Sequence, residues 1–446
     1  MVLIELIDRE PIENICTCLS FKPDKIIYLG SSENAQSKIE LYRELLAKRG
    51  EKIELEFVKT EEFNLSENVR IIQEIIESNT DCYIDLTGGE ELCLTAIGIV
   101  YERCNRLDVD ENGNARNTVQ MHFIRIHDNY VADCDADGNV IELRPLPELS
   151  VEENIFIHGG KVVREEDKVA GSQYVTHKVE YDKTLIPDLE KLWEICMRDH
   201  EEWNRETGLL KEPVAADGLG DDTFIFDETY ADTMPVGDRK STFFNQHKVF
   251  RALKDEGFIS VDFTNSQPLV GINNIRLKNC FVKQGQLLEI MTYYAAREVR
   301  GKVDGKNVRL FNDVETGVVL DWDGIISNGI DDAIDIMNEI DVMMMHGMIP
   351  YFVSCKNGNL TKSTEAGTVE LYKFSSVAAR FGGRYAKKIL VCHSLDGCSG
   401  PIKSGCTLRA RADELGVKII EIPKEYDGTD GGFIGFLRRA IKKCSK

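Results

Sequence analysis

The chain has 446 residues, room for about two to four domains at roughly 100–200 residues each. Hydrophobic residues make up 42% and charged residues 29%, which excludes a disordered or fibrous chain and allows ordinary cores. Seventy-six acidic residues against 54 basic ones leave a net charge of −22. Such a surface repels duplex DNA as a whole, so nucleic acid would have to meet a local basic groove or a metal-lined cleft. No apolar run reaches the ~18 residues of a membrane helix; Leu92–Val100 and Val342–Val353 are short or interrupted. Met1–Glu10, with Glu5, Asp8, Arg9 and Glu10, has no signal-peptide pattern. The thirteen cysteines include no C-x-x-C, and Cys392, His393, Cys398 and Cys406 are too loosely spaced for a zinc site. Free thiols in a reducing cytoplasm are expected.

In chain order, Asp24–Gly30 reads as a first strand and Lys38–Arg49 as a helix, with Ile39, Tyr42, Leu45 and Leu46 on one side. A second strand, Ile53–Val58, precedes a helix marked by Val69, Ile72, Ile75 and Ile76. Asp81–Leu86 is a third strand, running through Thr87-Gly88-Gly89 into the helix Leu92–Tyr101. Val119–Ile126 is a fourth, and acidic turns at Asp108–Gly113 and Asp135–Gly138 follow the pattern to its end. Strands alternating with helices predict a Rossmann-like parallel sheet covered on both faces.

Pro145-Leu146-Pro147 marks a boundary. Beyond it, Ile155–Val163 reads as a hairpin through Gly159-Gly160, Ile186–Trp203 as a helix begun by Pro187, and Ala215–Asp238 as an exposed loop. Thr242–Glu256 followed by Phe258–Val261 suggests a winged-helix-like connector. A third unit starts near Ile275 with the helix Gln286–Arg297 and runs through strands to a final α/β segment. The predicted units are thus 1–147, 148–274 and 275–446.

Two constellations carry chemistry. In an open parallel sheet ligands bind beyond the carboxyl ends of strands, where Gly30-Ser31-Ser32 and Thr87-Gly88-Gly89-Glu90 lie. Glycine lets backbone N–H groups approach an anion, and the next helix adds its positive end. Both loops suit a phosphodiester or nucleotide, although Glu90 and Glu91 oppose a naked polyphosphate. There is no G-x-G-x-x-G and no G-x-x-x-x-G-K-[ST], which leaves a nicotinamide enzyme or an NTPase without support.

The second lies in Asn338–Gly358, read as a hairpin of Ile340–Met345 and Ile349–Cys355 turning at His346-Gly347. Glu339 and Asp341 share one strand face, and Ser354 and Lys356 share a face of the partner. With Glu289 upstream, this is what metal-dependent phosphodiester cleavage needs: carboxylates for a hard divalent cation and a lysine for the charge on phosphorus. An edge hairpin with a solvated acid pair and a snorkelling lysine has the same pattern. Met343-Met344-Met345 reads as core, Asp321-Trp322-Asp323-Gly324 as a turn, and His158, His247 and His346 as non-catalytic. The basic run Arg438, Arg439, Lys442, Lys443 and Lys446 reads as a solvated helix face.

LGSS and DLTGG near the start, together with NEIDV, SCKNG and ELYKFSSVAARFGG near the end, resemble the CARF-domain (CRISPR-associated Rossmann fold) nucleases of type III CRISPR defence. These join a Rossmann-fold sensor to a restriction-endonuclease-like domain of the PD-(D/E)xK type. The resemblance implies a cytoplasmic homodimer in antiviral defence, whose sensors bind one cyclic oligoadenylate, most often cyclic tetra-adenylate. Binding would switch on an endonuclease that uses Mn²⁺ or Mg²⁺ on single-stranded DNA, RNA or nicked duplex. Carried over, Gly30, Ser31, Ser32, Thr87, Gly88, Gly89 and Glu90 would line the activator site. Glu289, Asp341 and the Cys355 carbonyl would hold the metal. Asp341, Glu339, Ser354 and Lys356 would form the catalytic set, supported by Glu370 and Tyr372. The family's E-x-K is here Ser354-Cys355-Lys356, so a carboxylate is missing and either Glu289 or Glu339 compensates. The rival reading is a ligand-responsive transcription regulator with an inactive nuclease domain.

Overall fold

A computed structural model describes residues 1–7, 9–31, 35–107, 119–135, 137–167, 175–176, 179–213, 219–282, 285–303, 305–325, 337–358, 364–393, 395, 407–423 and 431–445. The strands and helices of the first 145 residues are β1 (Val2–Leu6), α1 (Pro11–Phe21), β2 (Lys25–Gly30), α2 (Ala35–Lys48), β3 (Glu54–Lys59), α3 (Leu65–Ser78), β4 (Cys82–Asp85), α4 (Glu91–Glu102), β5 (Val119–Arg125), β6 (Tyr130–Cys134) and β7 (Val140–Pro145). The sheet order is β3-β2-β1-β4-β5-β6-β7, parallel through β5 and antiparallel beyond it. Alternation along the strands sorts the core. Leu3, Ile26 and Tyr28 meet Ile12 and Ile15 of α1 and Ile39 and Tyr42 of α2. Ile4, Ile27 and Leu29 meet Ile72 of α3 and Ala96 and Ile97 of α4 on the other face. The expected doubly wound sheet is therefore present. It has one more strand at its start, β1, which the sequence reading lacks, so Gly30 ends the second strand and Thr87 follows the fourth. The acidic turn at 108–113 lies outside the described residues.

After Pro147 the chain departs from expectation. Ser150 and Glu153 form a capping box, each side chain bonding the other's backbone N–H, and start helix α5 (Val151–Ile157) where a hairpin arm was predicted. The next segment, β8 (Lys161–Val162), pairs with the distant strand β15 described below. The long helix expected from Ile186 to Trp203 is split into α6 (Ile186–Arg198) and α7 (His200–Thr207), because Asp199 is extended and caps the second. The predicted loop contains a strand: β9 (Leu210–Lys211), β10 (Thr223–Phe226), β11 (Ile259–Asp262) and β12 (Leu269–Ile272) form an antiparallel sheet, β11-β12-β10-β9. Helices α8 (Val236–Gln246) and α9 (Lys248–Asp255) precede its β11-β12 hairpin, an arrangement of the winged kind.

The last unit comprises α10 (Asn279–Val282), α11 (Gln286–Glu298), the hairpin β13 (Arg300–Val303) and β14 (Lys306–Arg309), β15 (Asp313–Asp321), β16 (Met337–His346), β17 (Ile349–Lys356), α12 (Thr364–Gly382), β18 (Lys387–Cys392), α13 (Leu408–Glu414), β19 (Val417–Glu421) and α14 (Gly432–Cys444). Its sheet runs β19-β18-β17-β16-β15-β8, an antiparallel meander joined to a parallel half. Met343, Met344 and Met345 are fully buried in it, as expected. Helices α11 and α14 pack together on one face, and α12 lies on the other, beside α5.

Candidate functional site

In the first sheet the connections leave β1 and β4 in opposite directions, which opens a crevice at their carboxyl ends. The loops Leu86–Glu90 and Gly30–Ser31 meet there: the Ser31 hydroxyl donates to the Glu90 carboxylate, across 59 residues of chain. Thr87 is fixed by two bonds, its N–H on Asp85 Oδ1 at 2.9 Å and its Oγ1 accepting the Ile124 N–H at 2.7 Å. Its hydroxyl is therefore committed to the neighbouring strand. Gly88 and Gly89 have φ of 73° and 85°, and a Cβ on Gly89 would overlap the Leu6 side chain. The glycine pair thus lets the loop close down on β1. Ser32 lies outside the described residues. Ile7, just past the β1 that the sequence reading missed, borders the same crevice, with its Cβ 3.3 Å from where a Gly30 Cβ would stand.

Beneath it sit buried ionisable groups. Burial pushes the Asp85 carboxyl up to about 8 and the His122 imidazole down to about 3. At 3.7 Å apart they therefore form a neutral pair and not a salt bridge. Glu5 is held well above the usual carboxylate range by burial and then by Asp85.

The second site lies where β16 and β17 part. Their ladder runs from His346↔Ile349 to Val342↔Val353. At the next position Asp341 turns its carboxylate inward, and Oδ2 accepts the Cys355 N–H at 2.6 Å and the Ser354 hydroxyl at 3.2 Å. Asp341 and Ser354 thus meet on one face just past the end of the ladder. The Cys355 thiol points to the opposite face, 3.5 Å from Thr292 Oγ1 of α11. Its pKa is raised by burial and then by the nearby charges of Asp341 and Glu289. Glu289 is only 4% exposed. Glu339 leans toward β15, with Oε1 3.9 Å from where a Gly317 Cβ would stand. Lys356 Nζ is 3.7 Å from Glu370 of α12. Tyr372, two residues on, points away and lies under Arg411.

Two carboxylates with a free coordination sphere suit Mg²⁺ or Mn²⁺, which keep waters and take substrate phosphates as further ligands. Asp341 of β16 and Glu289 of α11 supply oxygen donors of that kind from two separate elements; among the described residues no group of three or more His, Cys, Asp or Glu side chains gathers around one point. The Ser354 hydroxyl adds a donor to Asp341 where an acid would add a ligand.

Sequence reasoning missed a polar cluster just past Lys356. Asn357, 3% exposed, has Oδ1 3.0 Å from His393 Nε2 and Nδ2 3.2 Å from Asn204 Oδ1. The His393 ring stacks on His200 at 4.2 Å, and burial, helped by His200, pushes it down to about 4. The available signal was position: His393 directly follows the buried run Ile389–Cys392, at a parallel strand's carboxyl end.

No protein-family model matches the chain, and no curated protein does. Solved structures do match along its whole length. Protein VC1899 of Vibrio cholerae has a TM-score of 0.65 at 14% identity, covering 100% of this chain and 98% of its own. Can2 of Sulfobacillus thermosulfidooxidans, in complex with cyclic tetra-adenylate, has a TM-score of 0.60 at 13% identity, covering 100% and 99%. At such identities the likeness is one of fold, and the chain shares its α/β architecture with both from end to end.

Proposed function

We propose that this protein is a nuclease of type III CRISPR defence, switched on by a cyclic oligoadenylate and dependent on a divalent metal. The observation that carries the reading is the meeting of Asp341 with Ser354, beside Lys356, where β16 and β17 part, in a chain with the whole fold of a protein solved with cyclic tetra-adenylate. In this reading residues 1–147 sense the ring in a homodimer, 148–274 connect, and 275–446 cut. Single-stranded DNA or RNA is the expected substrate, with nicking of duplex as a further activity.

At the sensor, Ser31, Glu90 and the Gly88-Gly89 backbone would meet the ring. Glu90 is an acceptor, so it suits a hydroxyl or amino group of the ligand and leaves its phosphates to backbone N–H groups. At the nuclease, Asp341 and Glu289 would hold the cation, which supplies Lewis acidity at the phosphate. Lys356 would offset charge gathering on phosphorus, and Glu370 would hold its ammonium in place. The Cys355 N–H fixes the Asp341 carboxylate before substrate arrives.

The test incubates the protein with Mn²⁺ or Mg²⁺ and labelled single-stranded DNA, RNA and supercoiled plasmid, with and without cyclic tetra-adenylate. Cleavage that needs ring, metal and Lys356, and is lost in Lys356→Ala, is expected. Ring binding without cleavage of any polymer would favour the second reading, a ligand-responsive regulator. One observation favours that reading: Asp341 Oδ2 already takes two protein donors, and residue 354 brings no acid.

A further inference from the structure

We propose that the groove between the edge strand β19 and helix α14 binds the backbone and bases of single-stranded nucleic acid. This deepens the proposed function, on which it rests, by locating a substrate contact away from the cutting site.

The groove encloses about 590 Å³ and is lined from β19 by Lys418, Ile419 and Glu421 and from α14 by Phe436, Arg439 and Lys443. Phe436, Arg439, Ala440 and Lys443 recur at helical spacing, so they form one stripe, while Phe433, Leu437 and Ile441 hold the neighbouring stripe in the core. Cations from two separate elements line the groove together, Lys418 from β19 and Arg439 and Lys443 from α14. A run of basic residues on one helix would not bring this about. The one carboxylate in the lining, Glu421, accepts from Arg409 at 2.7 Å and from the Leu395 N–H at 3.1 Å, so it is offset within the protein. In a chain of net charge −22 this is a local positive trough.

Its floor is aromatic. Trp193 of α6 stacks on Phe433 at 4.1 Å and 6°, and Phe433 stacks on Phe436 at 15°, so Phe436 ends a rigid ladder and faces the groove, half-buried. A positive trough with an aromatic platform is how single strands are held without sequence preference, since every base has a face to stack. Duplex DNA keeps its bases stacked and would use the cations alone. The groove lies two strands from β17, roughly 10 Å across the sheet at ~4.8 Å per strand, and on the side of α11, which carries Glu289. Lys356 faces α12 on the other side of the sheet, so a strand held here would reach the cut by rounding the edge strand β19.

The experiment measures binding of fluorescent oligo-dT, oligo-rA and a DNA duplex by anisotropy, with Ca²⁺ and cyclic tetra-adenylate, over a series of salt concentrations. In parallel it follows hydrolysis of bis(p-nitrophenyl) phosphate with Mn²⁺ and cyclic tetra-adenylate, a diester too small to reach the groove. The double substitution Lys418→Glu with Lys443→Glu is expected to weaken single-strand binding at least tenfold. It should also flatten the slope of log K against log salt by about 1.4, from ~0.7 per phosphate contact, and leave diester hydrolysis unchanged. Phe436→Leu, which keeps the core filled, should weaken oligo-dT binding several-fold and duplex binding little. Unchanged affinity and slope in the charge-reversed protein, or no oligonucleotide binding by the wild type, would overturn the groove. A wild type that binds oligonucleotides through these residues yet hydrolyses no diester would overturn the nuclease and leave the groove standing.

Discussion

Residue 354 separates the two functional readings. Its hydroxyl donates to Asp341 Oδ2 at 3.2 Å, on the face where a third acid would complete the metal's ligands. Ser354→Glu is therefore expected to lower the Mn²⁺ concentration for half-maximal cleavage about tenfold. Without metal the new like-charge contact with Asp341 should lower the melting temperature, and Mn²⁺ should restore it. Equal metal dependence in both proteins would mean that residue 354 faces no cation. Asp341→Asn, which keeps an acceptor for the Cys355 N–H, should retain the fold and lose at least a hundredfold in cleavage. Under the sensor crevice, Asp85 makes a different prediction. Its folded pKa of about 8 stands above its ordinary value, so its contribution is full below about pH 4 and is lost as pH rises through about 8. Urea unfolding should show the wild type losing up to ~1.4 kcal/mol per pH unit relative to Asp85→Asn within that window. His122 cancels in the comparison, being neutral in both folded proteins above about 3. Parallel pH profiles would mean that Asp85 is ionised in the fold.

At the scale of elements, what was legible had a periodicity and what was missed had a cap or a distant partner. The helices around Ile39–Leu46 and Val69–Ile76 stand as read, because their apolar residues repeat at helical spacing against one sheet face. The hairpin of β16 and β17 also stands, with its turn at Gly347, φ 61°. Strand β1 went unread because Glu5 sits within an otherwise apolar Val2–Leu6; its burial is possible only since it is held neutral. Helix α5 is seven residues long, too short for a repeat to show, and rests on the Ser150–Glu153 box and on Arg49, which bonds both Glu153 oxygens at 2.6 Å. Ser150→Ala should accordingly cost about 1 kcal/mol in urea unfolding; no change would mean that packing alone specifies α5. The two-residue β8 has no local signature, since its partner β15 lies some 160 residues away. At the hairpin of β16 and β17, alternation was enough to place Asp341 with Ser354 and Ser354 with Lys356. The His393–Asn357–His200 cluster was not, because its members come from three elements that meet only in the folded chain.

For the whole molecule, the question is how a ligand at the first sheet could reach a site at the last. Ile7, after β1, borders the crevice, and α1 is the next helix in the chain. There Glu10 accepts the Arg384 N–H at 3.3 Å, and the buried Glu13 carboxylate accepts from the Arg384 guanidinium and the Tyr385 hydroxyl. Gly383, at φ 51°, has no room for a Cβ against Glu10, so the fit is close. That Gly383–Tyr385 turn ends α12, which holds Glu370 against Lys356, and starts β18, which ends beside His393. A ring that favours one position of α1 would thereby favour one position of the partners of Lys356, which is what a population shift requires. Glu13→Gln keeps the shape and removes the charge that grips Arg384. Its ratio of cleavage rates with and without cyclic tetra-adenylate is expected to fall by about tenfold, within the usual 1–3 kcal/mol of coupling, while cleavage without the ring is unchanged. Thermal unfolding without ligand separates this from simple loss of stability, and Tyr385→Phe should give a smaller drop in the same ratio. An undiminished ratio in Glu13→Gln would mean that the signal travels by another route, such as the packing of α2 against α5.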